Sequence, residues 1–206
     1  MFSGRRIERA RDSSRVTTRA DRYAVGEMSV RIFLGHGASG SAASMAPFVA
    51  GLERRGLAAT AIDLPRRRAE DALPSLRAAV PNEPDVVVGG HSFGGRVASL
   101  AAADPDSRYA ALVLFSYPLH PPGAPDRAAA RTAHWPSIRC PVILLSGESD
   151  PFARRELFDR LIPLLPAAEI VTYPRLGHSL VPVLDDALDR VAAFLGRVAP
   201  MWSAEP

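Results

Sequence analysis

The chain has 206 residues, of which 47% are hydrophobic and 23% charged, and this composition is typical of one ordinary globular domain. It contains a single cysteine, Cys140, so neither an internal disulfide nor a zinc site built from paired cysteines can form. All 25 basic residues are arginine. The lack of lysine excludes Walker-type phosphate loops, pyridoxal enzymes and serine–lysine hydrolases.

The basic residues are concentrated at the start of the chain, where residues 1–22 hold seven arginines against three acidic residues. We expect residues 1–22 to be a basic, disordered tail, residues 23–200 to form one domain, and residues 201–206 to be a short C-terminal tail. The sequence shows neither a secretory leader nor an apolar run of about 18 residues that would span a membrane. We therefore expect a soluble, cytoplasmic protein with no nucleic-acid or membrane partner.

Strand-like runs alternate with helical stretches along the rest of the chain. In chain order we predict a strand at 30–34, a helix at 42–52, a strand at 58–62, a helix at 70–79, strands at 85–88 and 111–115 separated by a helix at 95–103, a strand at 142–145, a helix at 152–161, a strand at 169–173 and a helix at 183–198. Apolar strands that alternate with helices predict an α/β fold with three layers and a doubly wound, mostly parallel sheet. Ligands of such folds bind at the carboxyl ends of the strands.

Two glycine-rich turns follow predicted strands, and the first is Gly35–Gly40. It reads G-x-G-x-x-G between a strand and a helix, and Asp63 ends the next strand 23 residues after Gly40. This is the local context of a dinucleotide-binding turn, and it makes an NAD(P)-binding oxidoreductase one hypothesis. Asp63 is alternatively a cap at the end of its strand.

The second turn, Gly90-His91-Ser92-Phe93-Gly94, reads G-x-S-x-G between a strand and a helix, as in the nucleophile elbow of serine hydrolases. A serine hydroxyl needs a base, and the base needs an orienting acid. Asp150 and His178 each follow a later predicted strand, and they come in the chain order Ser, acid, His that this fold uses. We predict Ser92 as nucleophile, His178 as base and Asp150 as acid, with Glu148 as the rival acid.

These features together resemble the α/β-hydrolase superfamily over nearly all of residues 29–198. The string Leu34-Gly35-His36-Gly37-Ala38, the elbow, and Ser116-Tyr117-Pro118-Leu119-His120-Pro121-Pro122-Gly123 are most similar to small dienelactone-hydrolase-like proteins of the KANL3/Tex30 group. The resemblance implies a minimal catalytic domain without a lid domain. It also implies that the loop after the first strand supplies one oxyanion donor, which we assign to the amide of Ala38, with Ser39 as the next choice. The elbow motif assigns the second donor to the amide of Phe93.

The expected activity is the hydrolysis of a small ester or related acyl substrate, with no cofactor and no metal. A non-catalytic interaction protein on the same fold is a further alternative. The expected substrate-binding residues are His36, Gly37, Ser39, Tyr117, Leu119 and Phe152. Of these, Tyr117, Leu119 and Phe152 are inferred only from their positions after strands, and His36 is alternatively a structural residue that bonds to the backbone. We expect His91 to pack behind the elbow, and Arg66, Arg67 and Arg68 to form a solvated cluster able to attract an anionic substrate.

Overall fold

The structure is a computed structural model that describes residues 7–9 and 30–198. The strands are β1 (Ile7–Arg9), β2 (Arg31–Gly35), β3 (Ala58–Ile62), β4 (Val86–His91), β5 (Ala111–Phe115), β6 (Val142–Gly147) and β7 (Ala168–Tyr173). The α-helices are α1 (Ala46–Glu53), α2 (Ala69–Ala79), α3 (Phe93–Ala102), α4 (Ala128–Thr132), α5 (Arg155–Leu161) and α6 (Leu184–Val198). Short 3-10 turns lie at Ala42–Met45, Pro125–Arg127, Trp135–Ser137, Ile162–Leu164 and Val181–Val183.

The described strands form one sheet in the order β1-β7-β6-β5-β4-β2-β3, and every adjacent pair is parallel. The chain first runs outward from β2 to β3, then returns to place β4 on the other side of β2, and continues through β5 to β7. The order therefore reverses between β2 and β4, which is where ligands bind in doubly wound sheets. Gly35 at the end of β2 pairs with Gly90 of β4, so both glycine-rich turns leave the sheet at this point.

Two buried clusters, one on each face of the sheet, make the three layers that the sequence predicted. Residues of α2, α3 and α5 pack on one face, and residues of α1 and α6 pack on the other. Successive strand residues alternate between them, since Val86 and Val88 join the first cluster while Val87 joins the second. Because both faces are covered, the central strands are apolar along their whole length.

Three residues of the predicted N-terminal tail, Ile7–Arg9, form β1 and pair with Ile170, Val171 and Thr172 of β7. Without β1 this edge of β7 would offer unpaired backbone groups, which readily accept another strand. The rest of the predicted tail, residues 23–29 and the predicted C-terminal tail at 201–206 lie outside the described residues.

The predicted helix at 152–161 begins later, at Arg155, because residues 150–153 form a turn. In this turn the amide of Phe152 donates to Asp150 Oδ1, and the amide of Ala153 donates to the carbonyl of Asp150. The irregular segment 116–136 holds the short helix α4 and no larger insertion. None of the helices in the described part of the chain is long and apolar enough to cross a membrane.

Candidate active site

Ser92 lies at the sharp turn between β4 and α3 with φ 51° and ψ −111°, a conformation that residues with a side chain rarely adopt. Hydrogen bonds of the surrounding backbone maintain this strained conformation. The amide of Ser92 donates to the carbonyl of Phe115 at 2.8 Å, the amide of Gly94 to the carbonyl of His36 at 2.9 Å, and the amide of Arg96 to the carbonyl of Ser92 at 3.0 Å. The turn thereby presents the hydroxyl of Ser92 at the carboxyl end of the sheet.

The elbow needs glycine because it packs directly against the end of β2. A Cβ atom on Gly94 would lie 2.2 Å from the carbonyl carbon and oxygen of Gly35, and one on Gly90 would lie 2.4 Å from the same oxygen. Gly35 is itself confined by Leu64 and by the Cα of Gly94. The first glycine of the G-x-G-x-x-G turn therefore serves close packing of the two turns.

The structure brings together the three residues that the sequence predicted as nucleophile, base and acid. Ser92 Oγ lies 2.8 Å from His178 Nε2, and His178 Nδ1 lies 2.7 Å from Asp150 Oδ2. Since a carboxylate only accepts, Nδ1–H donates to Asp150, which leaves the Nε2 lone pair to accept from the hydroxyl of Ser92. The three side chains come from loops after β4, β6 and β7, which end at the same edge of the sheet.

Asp150 is shielded from solvent, and the imidazole of His178 is held by its neighbours. The side chain of Asp150 is fully buried, and its second oxygen accepts the amide of Phe152 at 2.8 Å. The imidazole of His178 is 22% exposed, and the ring of Phe152 packs against it edge to face at 4.7 Å. Both contacts restrict the imidazole to the orientation that reaches Ser92.

The rival acid, Glu148, faces other partners. Its Oε1 accepts the hydroxyl of Thr172 at 3.0 Å and lies 3.4 Å from an amino group of Arg155. Asp150 is therefore the carboxylate in hydrogen-bond contact with His178.

His91 was expected behind the elbow, and it packs beside His178, where it also lines the cleft. Its Nε2 lies 3.3 Å from the carbonyl oxygen of His178, and the two rings are 5.2 Å apart. Burial lowers the pKa of His91, which favours the neutral ring that donates from Nε2 to this carbonyl.

A cleft of about 450 Å³ opens in front of the serine, and most of the predicted contacts line it. Ser92, Phe93 and His178 form one part of its wall, and Gly37, Ala38, Ser39 and Phe152 form another. Within the described residues, the amides of Phe93 and Ala38 donate to no other group, so both are available to a ligand. Among the same residues, no group of three or more His, Cys, Asp or Glu side chains is arranged to bind a metal ion.

Three of the expected substrate contacts lie elsewhere. Tyr117 and Leu119 are 1% and 0% exposed and belong to the core, so the prediction that they form pocket walls is wrong. The chain bends after β5, where Ser116 has a positive φ, and Pro118 and His120 line the cleft instead. His36 is buried, and the backbone satisfies both of its ring nitrogens. Its Nδ1–H donates to the carbonyl of Gly37 at 2.7 Å, and its Nε2 accepts the amide of Leu64 at 3.0 Å. With both ring nitrogens used by the backbone, His36 has the structural role.

Four polar residues that line the cleft were not assigned a site role from the sequence: His91, Arg96, His120 and Arg131. The ring of His120 is buried, its Nδ1 donates to the carbonyl of Pro121 at 2.8 Å, and its Nε2 has no partner among the described residues. Arg96 lies one helical turn after Ser92, and this spacing was the available signal for its position. No sequence signal placed Arg131 at the cleft, because α4 reaches it only through the tertiary fold.

Asp63 has a structural contact at the end of β3, and Arg67 and Arg68 are solvated. Asp63 Oδ1 accepts the amide of Ala42 at 2.7 Å, so it joins the end of β3 to the first turn after the glycine-rich loop. Arg67 and Arg68 are exposed and line the outer rim of the cleft.

Comparison with known proteins agrees with this architecture. The chain has 14% identity and a TM-score of 0.68 to a monoacylglycerol lipase of Paleococcus ferrophilus, over 80% of this chain and 94% of that chain. It has 21% identity and a TM-score of 0.61 to a dienelactone hydrolase of Anabaena variabilis, over 82% and 86% of the two chains. For Thermogutta terrifontis esterase 2, phosphoramylated by tabun, the values are 18% and 0.67, over 82% and 83%.

At these identities the solved structures show a shared fold. A search of curated proteins found no match to the chain. The model of the family described as "Alpha/beta hydrolase domain" matches residues 29–190, which is most of the sequence. The chain belongs to the α/β-hydrolase domain family, as the resemblance of its sequence motifs implied.

Proposed function

We propose that this α/β-hydrolase is a serine hydrolase that cleaves a small ester or related acyl compound through Ser92, His178 and Asp150. The observation that carries the proposal is the pair of hydrogen bonds, 2.8 and 2.7 Å long, that runs from Ser92 Oγ through the imidazole to Asp150. The cleft in front of Ser92 has room for a small substrate.

In the first half of the reaction, Ser92 Oγ attacks the carbonyl carbon and its proton passes to His178 Nε2. Asp150 keeps Nδ1 protonated and stabilises the imidazolium that forms. The tetrahedral intermediate then expels the alcohol, which takes the proton from Nε2 and leaves an acyl group on Ser92.

Two backbone amides stabilise the negative charge on the carbonyl oxygen. Phe93 is the first residue of α3, so its amide has no partner within the helix, and Ala38 lies in the loop after β2. Each donor of this type typically lowers the barrier by about 3 kcal/mol. Since α3 begins at the elbow, its dipole adds to this stabilisation.

In the second half, water completes the cycle. It gives a proton to His178 Nε2 and attacks the acyl carbon. The carboxylic acid leaves as the proton returns to Ser92 Oγ.

Reaction with a fluorophosphonate probe tests the nucleophile directly. We expect the wild-type chain and the Ser39→Ala variant to be labelled, and the Ser92→Ala variant not to be. Ser39 is a matched control because its hydroxyl lines the same cleft. Labelling of Ser92→Ala as strong as that of wild type would contradict the assignment.

Two alternatives remain distinguishable by experiment. The features that motivated NAD(P) binding both have roles within the fold, since Gly35 packs against Gly94 and Asp63 bonds the amide of Ala42. A rise in Tm on adding NAD(H) would nevertheless favour the oxidoreductase. A wild-type chain that neither reacts with the probe nor hydrolyses any ester of a broad library would favour a non-catalytic interaction protein.

A further inference from the structure

The cleft in front of Ser92 carries an excess of positive charge. Four arginines line it: Arg67, Arg68, Arg96 and Arg131. The carboxylate that approaches them is Glu70, at the start of α2. Within the described part of the chain no acidic residue lines the cleft, and Asp150 lies behind His178.

Glu70 compensates two of the four arginines. Arg96 forms an ion pair with Oε1 of Glu70, and Arg68 Nε lies 3.9 Å from its Oε2. Burial raises the pKa of the Glu70 carboxyl, but a hydrogen bond from its own backbone amide and the contact with Arg96 outweigh burial and lower the pKa overall, so this carboxyl stays ionised at neutral pH.

Arg131 has no carboxylate within 4 Å among the described residues, although it is partly buried. One of its N–H groups donates to the carbonyl of Pro118 at 3.3 Å, and no other N–H of this guanidinium is paired with a described residue. Burial and the nearby Arg96 together lower the pKa of Arg131. A partly desolvated cation with free donors is costly unless an anion approaches it.

The fold holds the backbone of Arg131 firmly in this place. Its carbonyl accepts one hydrogen bond from Arg96 Nη1 at 3.0 Å and another from the hydroxyl of Tyr117 at 3.0 Å. Arg96 belongs to the helix that begins at the elbow, and Tyr117 is buried in the core. The position of Arg131 is therefore tied to that of Ser92 by rigid elements, as a specific contact requires.

We propose that Arg131 binds a carboxylate of the substrate, so that the preferred ester carries a negative charge. The planar guanidinium presents paired donors that match the two oxygens of a carboxylate. The compensated Arg96 positions Arg131, while Arg67 and Arg68 at the rim attract the anion. This inference rests on the proposed esterase activity, because it names the class of ester that the same cleft accepts.

Competition against a neutral reporter ester tests the inference. The rate of p-nitrophenyl acetate hydrolysis is measured in the presence of one of two competing esters. Monomethyl adipate carries a carboxylate, and dimethyl adipate is the matched neutral ester. For the wild-type chain we expect monomethyl adipate to inhibit about tenfold more strongly, as one charge-assisted contact implies. In Arg131→Gln this preference should fall to about one.

Arg127→Gln is the matched control, since Arg127 is exposed, lies in the same segment and does not line the cleft. It should keep the preference of the wild type. Equal inhibition by the two esters in the wild type, or an equal preference in wild type and Arg131→Gln, would overturn the inference.

A direct binding measurement separates this inference from the proposed activity. Calorimetric titration of Ser92→Ala with monomethyl adipate should show binding that Arg131→Gln, made in the same background, loses. If the wild type fails to hydrolyse any ester while this binding is present, the esterase proposal fails and the anion site stands. If hydrolysis occurs without the binding, the anion site fails alone.

Discussion

Lowering the pH tests a hydrogen-bond network that links His134 to α3, the helix that follows Ser92. His134 Nε2 lies 2.8 Å from Ser99 Oγ, and that hydroxyl donates to the carbonyl of Arg96. His134 therefore donates to Ser99 in its neutral form. Burial, helped by repulsion from Arg96, lowers the pKa of His134 to about 4, from an ordinary value of 6.5.

The direction of the effect follows from this lowered pKa. As the pH falls below 6.5, the unfolded chain takes up a proton at His134 while the folded chain does not, so acid favours unfolding. The stability that depends on neutral His134 is fully present above pH 6.5, and it is lost progressively as the pH falls to about 4. Each pH unit within this window is worth about 1.4 kcal/mol. At pH 5 the loss from His134 alone is therefore about 2 kcal/mol.

Urea unfolding followed by far-UV circular dichroism at pH 7.5 and pH 5.0 measures this loss. The comparison is between wild type and His134→Gln, whose amide can still donate to Ser99. We expect the free energy of unfolding to fall by about 2 kcal/mol more in wild type than in the variant. His91, whose pKa burial also lowers, is the same in both proteins and cancels. An identical drop in the two proteins would refute the reasoning.

Two further comparisons test the elbow and the acid. Gly94→Ala should lower the free energy of unfolding by about 3 kcal/mol in urea titrations, because its Cβ would meet Gly35. By contrast, Gly196→Ala, with open space around it in α6, should raise the same free energy by up to about 1 kcal/mol. Asp150→Asn should reduce kcat for p-nitrophenyl acetate about 10³- to 10⁴-fold, because the amide no longer holds the productive tautomer of His178. Glu148→Gln should leave kcat within about threefold, and the reverse ranking of these two variants would point to the other acid.

Local sequence pattern was sufficient to predict most of the fold and the central part of the site. Strands and helices appeared close to their predicted positions because each apolar run has the length and flanking turns of its element. Ser92, Asp150 and His178 were identifiable because each follows a strand, and parallel strands end at one edge of a sheet. Their mutual contacts remained a prediction until the loops were placed in space.

The direction of individual side chains was less predictable. Tyr117 and Leu119 were expected at the cleft, but Pro118 and His120 line it, because the direction of each side chain depends on how the backbone bends after β5. This bend begins at Ser116, whose φ is positive.

The amino-acid sequence by itself determined the three layers, the elbow and the chain order of Ser92, Asp150 and His178 after their strands, since these depend on short-range patterns. Only the tertiary structure decided which arginines of the cleft pair with a carboxylate. Glu70 is far from Arg96 along the chain, yet the packing of α2 beside α3 brings the two side chains into an ion pair. Arg131 is farther still along the chain, and its carbonyl accepts a hydrogen bond from Arg96. Charge compensation depends on distances between elements, and those distances exist only once the helices have packed on the sheet.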